Sequence, residues 1–140
     1  MNPSHAPTPC GISDDARSQG IYEILETVSD PTSLNNNTTP QGKAAEWLVS
    51  VDEAHLCPGE DYTCPRRLVQ RYALAVIYFA TGGDDWTKCS FSDGNCGNEY
   101  PFVNQESFLS GSHECQWAGI DCLVQSMCVT VINFGEIFFG

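Results

Sequence analysis

Three stretches of this chain carry apolar residues at helical spacing, and one β-branched run near its end reads as a strand. The longest periodic run is 69–86, VQRYALAVIYFATGGDDW. Its apolar residues fall at Val69, Tyr72, Ala73, Val76, Ile77 and Ala80, the three-and-four spacing of a helix face. Leu74 and Phe79 lie off that stripe, so the helix is apolar over more than half its circumference and is predicted to be a core element. Pro65 suits its first turn, where a missing N–H costs nothing. Thr81-Gly82-Gly83 reads as its stop, because glycine takes the left-handed conformation readily. At ~1.5 Å per residue the predicted 65–80 helix is a rod of roughly 24 Å, long enough to organise a domain. Trp86 follows on a Gly/Asp turn and is expected to fold back over the helix end.

Two further helices are predicted upstream. Ser13-Asp14-Asp15 can cap a helix over about 16–29, with Ile21, Ile24, Leu25 and Val28 as its apolar face. Gly20 weakens it by about 1 kcal/mol relative to alanine, and Pro31 is expected to end it. Ser33 to Thr39 reads as a polar loop. Thr39-Pro40 then pairs an N-cap with proline at the first helical position, predicting a helix over 40–51 that buries Ala44, Trp47, Leu48 and Val51. Residues 1–11 read as a disordered tail held at Cys10. Residues 87–128 read as irregular, with Tyr100, Phe102, Phe108 and Leu109 as anchors. Val129 to Phe134, VTVINF, is β-branched and aromatic and predicts the strand. The expected fold class is therefore mainly α with a small β part, in one domain.

Charge narrows the function classes. The 140 residues carry 18 acids against six bases, a formal net charge of −12. The acids sit in scattered pairs such as Asp14-Asp15, Asp52-Glu53, Glu60-Asp61 and Asp84-Asp85, read as solvated surface. Nucleic acid is not an expected partner, because phosphate contacts need clustered Lys and Arg. The basic residues Arg66, Arg67 and Arg71 read as a helix flank. No apolar run is long enough for a membrane span, and the polar, proline-rich start lacks the apolar core of a signal peptide.

The eight cysteines point to an oxidising compartment. Three pairs share the spacing C-x6-C: Cys57 and Cys64, Cys89 and Cys96, Cys115 and Cys122. Each spacing makes a small loop whose ends can meet, and closing one contributes roughly 2–3 kcal/mol. Cys10 and Cys128 could then pair with each other by elimination, although eight cysteines allow 105 connectivities. A zinc site from His55, Cys57, Cys64 or His113 is disfavoured, because the short ligand spacings of structural zinc are absent. With cysteine usage of an exported protein and no export signal, the expectation is a piece of a longer chain.

Few residues suggest chemistry. Ser110, Ser112, His113 and Glu114 have the residue types of a hydrolase, but no G-x-S-x-G elbow accompanies them, so they read as a polar loop before Cys115. Asp84-Asp85 and Asp93-Gly94-Asn95 do not follow the calcium-loop pattern and read as turn formers. His5 and His55 lie in predicted loops. No catalytic residue, cofactor or metal is expected. SLNNNTT contains two overlapping N-x-[ST] sequons, making Asn36 and Asn37 candidate N-glycosylation sites.

TGGDDW at 81–86, CQWAGIDC at 115–122 and VTVINF at 129–134 occur in an order that resembles the plant-type N-terminal cap of extracellular leucine-rich-repeat proteins. The upstream TPQGKA and LVQRYALAVIYF, with FLSGSHECQWAGI downstream, are most similar to diatom and other stramenopile members. The resemblance spans about residues 12–134. It implies a disulfide-stapled helical cap over 12–128, with 129–140 as a first, degenerate repeat strand. It further implies that Cys115 and Cys122 form the family's disulfide, and that Trp86, Trp117, Gly82 and Gly119 shape the cap. Val129, Ile132 and Phe134 would take the inward positions of the first repeat strand. Phe134 to Gly140, FGEIFFG, departs from the repeat pattern, with no asparagine ladder residue and no proline.

The function so implied is a non-catalytic capping or protein-interaction module of an extracellular or cell-surface recognition protein, covering the apolar end of a solenoid. Its expected partners are its own downstream repeats and an unidentified protein or peptide ligand. The alternative is a stand-alone secreted, disulfide-rich protein such as an inhibitor, effector or wall-associated factor.

Overall fold

Ser13 starts the first helix, its hydroxyl accepting the Ala16 N–H at 3.1 Å. In this computed structural model, which describes residues 10–60, 62–86, 89–91 and 106–133, that helix (α1) runs Asp14–Leu25 and buries Arg17, Ile21 and Leu25. It stops four residues short of the predicted end. Val28, expected on the apolar face, is exposed. Pro31 does not end α1 but opens a second, short helix, α2 (Pro31–Leu34), because Asp30 accepts the Ser33 N–H at 3.0 Å and caps it.

Helix α3 (Pro40–Ser50) begins where Thr39-Pro40 predicts, with Thr39 Oγ1 accepting the Gly42 N–H at 2.9 Å. Ala44, Trp47 and Leu48 are buried on it. Val51 is exposed instead of buried; it lies just beyond the helix, where the chain turns toward Asp52. Arg17 is also buried, and it donates to the carbonyls of Val49 at 2.8 Å and Leu56 at 3.0 Å. It thereby binds α1 to the end of α3, where carbonyls lack helical partners.

Helix α4 (Arg67–Ala80) packs along α3. Its buried face is Leu68, Arg71, Tyr72, Leu74, Ala75 and Tyr78. The predicted stripe is rotated out of the core: Ala73 and Ala80 are exposed, and Val69, Val76 and Ile77 are half-buried. Two consecutive positions differ by about 100° around a helix, so a one-residue shift in the buried line keeps Tyr72 inside and moves the other five predicted positions toward the flank. The shift occurs because Arg71 is drawn inward by partners that lie far away in sequence.

Gly82 ends α4 in the left-handed conformation, φ 66°, and Gly83 opens a short 3-10 turn, Gly83–Asp85. A Cβ on Gly83 would fall 2.1 Å from the Tyr78 ring. That approach lets Trp86 pack edge-on against Tyr78 at 5.0 Å and against Phe108 at 5.0 Å. Trp86 does cover the end of the helix. Phe108 and Leu109 are buried anchors; Tyr100 and Phe102 lie outside the described residues.

A second 3-10 turn, Glu114–Gln116, leads into a two-stranded antiparallel sheet of β1 (Ile120–Cys122) and β2 (Val129–Ile132). The fold is mainly helical with this small sheet. Strand β1 falls in the stretch read as irregular; three residues are too few for a pattern to show.

Two of the expected disulfide pairings are wrong. Cys57 joins Cys10 and Cys64 joins Cys128, across 47 and 64 residues of sequence. Neither the Cys57–Cys64 loop nor a Cys10–Cys128 bridge forms. The stretch between Cys57 and Cys64 carries its two ends to different neighbours, Cys57 toward the tail before α1 and Cys64 toward β2. Cys115–Cys122 is formed. Cys89 is disulfide-bonded, while the expected partner Cys96 lies outside the described residues, as do the tail at 1–9 and Phe134 to Gly140.

Candidate functional site

The site is built outward from Arg71, which is fully buried on α4. All five guanidinium N–H groups find acceptors. Nε and Nη2 donate to the two Asp52 carboxylate oxygens, each at 2.7 Å. Nη1 donates to Ser112 O at 2.9 Å and Glu114 Oε1 at 3.1 Å, and Nη2 also to Ser110 O at 2.7 Å. The faces of the ion are covered by Trp117 at 4.7 Å and Trp47 at 5.3 Å, an arrangement suited to a planar cation.

Glu114 extends the cluster, taking hydrogen bonds from Arg67 at 3.2 Å and from Gln70 Nε2 at 2.8 Å. Burial pushes its carboxyl up, yet the Arg67 charge and the Gln70 and Arg67 hydrogen bonds outweigh that and hold it below its ordinary value. Gln70 turns its other end to the sheet, where its Oε1 accepts the Val129 N–H at 2.7 Å. One polar chain thus runs from Asp52 through Arg71, Glu114 and Gln70 to the first residue of β2. The Cys64–Cys128 bridge fastens the same place covalently.

The sheet so positioned has an open side. Ile120 pairs with Ile132 and Asp121 with Val131, but Cys122 pairs with Val129, so Thr130 is an extra residue on β2. Directly paired residues share a face of the sheet. The bulge therefore puts Val129 and Ile132, three residues apart, on one side with Ile120 and Cys122. That side faces the core: Ile120 is 1% exposed, and Cys122 and Val129 pack against the buried cluster. Ile132, on the same side, is 42% exposed. The core simply stops there. Among the described residues β2 has one strand neighbour, and the N–H of its first residue, Val129, is taken by Gln70. The same hairpin exposes Leu123, Val124 and Val131.

The residues singled out from sequence fall into two groups. Trp117 is fully buried 5.0 Å from the Phe108 ring, Trp86 packs on that same ring at 5.0 Å, and Cys115 is joined to Cys122 at the end of β1. Gly119 has φ 82° and its carbonyl accepts the Asn133 N–H at 2.7 Å, extending the hairpin. Asn36 and Asn37 lie apart, exposed between α2 and α3. Phe134 lies outside the described residues.

Sequence reasoning missed the ion cluster. Arg71 is not a helix flank, Asp52 is not solvated and Glu114 is not part of an exposed polar loop; all three are buried. The cluster joins residues 19 and 43 positions apart, and no local pattern announces such a meeting. Ser110 and Ser112 act through their carbonyls on Arg71, and His113 Nδ1 accepts the Cys115 N–H at 3.1 Å. No grouping of three or more metal-type ligands occurs among the described residues, and none of the described helices is long and apolar enough to cross a membrane.

Comparison with protein-family models, with curated proteins and with solved structures finds no match.

Proposed function

We propose that this chain is a non-catalytic capping module that closes one end of a leucine-rich-repeat stack in an extracellular or cell-surface protein. The observation that carries the reading is Ile132: a core-side residue, opposite buried Ile120, left 42% exposed on a strand with one strand neighbour among the described residues. A solenoid end needs such a piece, apolar and edge-forming toward the repeats and polar outward. The net charge of −12 suits the outward side. Three disulfides among the described residues suit an oxidising compartment. The partners of this reading are repeats following β2, with an unidentified protein or peptide as ligand of the whole assembly.

The test is fusion of residues 1–133 to an array of consensus leucine-rich repeats, compared with the same array uncapped. The expected result is a higher melting temperature and monodisperse behaviour for the fusion, both lost in Ile132→Lys. An array indifferent to the added module, or equally protected by Ile132→Lys, overturns the reading.

The second reading, an independent secreted protein, draws on the fully satisfied ion cluster and the long-range disulfides, which can hold the fold without neighbours. Monomeric behaviour of the 140-residue chain, with no gain in order on fusion to repeats, favours it.

A further inference from the structure

We propose that Asn36 carries an N-linked glycan and that the overlapping acceptor Asn37 stays bare. The inference rests on the exported, oxidising-compartment part of the function proposed above. Both asparagines belong to sequons, Asn36-Asn37-Thr38 and Asn37-Thr38-Thr39, and both are exposed. What separates them is the hydroxyl two residues on, which the N-x-[ST] signal requires.

Thr39 is committed to the fold. Its hydroxyl donates toward Ser33 O at 2.6 Å and Asn36 O at 2.8 Å, and accepts the Gly42 N–H at 2.9 Å as the cap of α3. The loop lies tight against that cap, where a Cβ on Gly42 would fall 1.8 Å from Asn36 O. Freeing the Thr39 hydroxyl for the Asn37 sequon would therefore undo the start of the helix. Thr38 has no such duty. It is exposed, and its hydroxyl lies 2.6 Å from Asn36 Oδ1, with its N–H at 3.0 Å from the same oxygen. The acceptor amide and its own sequon hydroxyl are thus already side by side.

These bonds span at most six residues, so the arrangement can form before the rest of the domain does. It also survives modification. In the transfer, Asn36 Nδ2 forms a bond to the anomeric carbon of a polyprenyl-diphosphate-linked oligosaccharide. The bond from that carbon to the diphosphate oxygen breaks, the diphosphate leaves with the electron pair, and one Nδ2 proton goes to a base of the transferase. Oδ1, which takes both hydrogen bonds from Thr38, is not the atom that forms the new bond.

The full chain, secreted from a eukaryotic host behind a cleavable leader, tests this through site occupancy by peptide mapping of cell extract and medium. Glycan at residue 36 is expected in the parent and in Asn37→Gln, and none is expected in Asn36→Gln or Thr38→Ala. The latter keeps both asparagines and the second sequon, so it reads the Asn37 site directly. Glycan at residue 37 in any of these proteins, or a disulfide-bonded chain secreted without glycan, overturns the assignment. A chain that stays reduced in the cell overturns the exported reading beneath it.

Discussion

Arg71 and Asp52 meet as a two-pronged ion pair, both contacts at 2.7 Å, with neither side chain reaching solvent. A buried pair of this kind has lost its water on both sides, so its worth lies in completeness and not in the attraction alone. Here it is complete: the guanidinium has no N–H left over, and its faces lie against Trp47 and Trp117.

Breaking that pair is expected to be severe. Arg71→Ala leaves the carboxylates of Asp52 and Glu114 buried without their shared cation, at a cost of about 3–5 kcal/mol. Arg71→Lys keeps the charge but cannot supply five donors in a plane, and is expected to lose about 2 kcal/mol or more. Urea unfolding of the oxidised proteins measures both. A lysine variant as stable as the parent would show that charge, not the fork geometry, is what matters.

Acid should weaken the fold in two stages. His113 is held below its ordinary 6.5 by burial, against the pull of Glu114. The unfolded chain therefore takes up this proton first. The stability involved is complete above about pH 6.5 and declines as pH falls from there to the lower folded value. Glu114 is held below its ordinary 4.5 once the Arg67 charge and hydrogen bonds overcome burial. Its contribution is complete above about pH 4.5 and is lost as pH falls through the folded value. Melting temperature followed from pH 8 to pH 3 should show both declines. His113→Gln should remove the upper one and Glu114→Gln the lower; a single decline unaffected by His113→Gln would exclude the histidine's part.

The disulfides should differ in worth. Cys64–Cys128 closes 64 residues and Cys10–Cys57 closes 47, whereas Cys115–Cys122 closes seven. Loop entropy assigns about 4 kcal/mol to each long bridge and about 2 kcal/mol to the short one. Paired Cys→Ser variants, compared by denaturant midpoint, should fall in that order. Equal losses would mean that local geometry around Trp117 outweighs chain entropy.

The two glycines after α4 should respond differently to a methyl group. Gly83→Ala drives a Cβ into the Tyr78 ring at 2.1 Å and must displace Trp86 with it; a loss of about 3 kcal/mol is expected, as for overpacked cores. Gly82→Ala meets open space, its nearest neighbour being Asp85 Oδ2 at 4.0 Å, and bears only the strain of φ 66°, about 1 kcal/mol. Thermal melts of the two variants check the order, and a milder Gly83→Ala would show that Tyr78 can move.

How far the chain was legible follows the reach of each interaction. Ser13, Thr39-Pro40 and Gly82 could be read because each acts on backbone groups within one helical turn. Val129 and Ile132 share a face only through the bulge at Thr130, which depends on where β1 lies. The cysteine spacing was misleading for the same reason. Cys57 and Cys64 are near in sequence, but the chain between them leads away to α1 on one side and to the sheet on the other.

The residues by themselves determined the capped starts of α1 and α3, the stop of α4, the mainly helical class and the W-turn over the end of α4, and the cysteines pointed to an oxidising compartment, because these depend on propensity, capping and composition within a few residues. Tertiary structure alone decided which face of α4 turns inward. An arginine can replace an apolar residue in the core only where Asp52, Glu114, two carbonyls and two tryptophan faces arrive together. That convergence is a property of the assembled chain, because an unsatisfied N–H at such depth would cost more than the burial of a leucine returns.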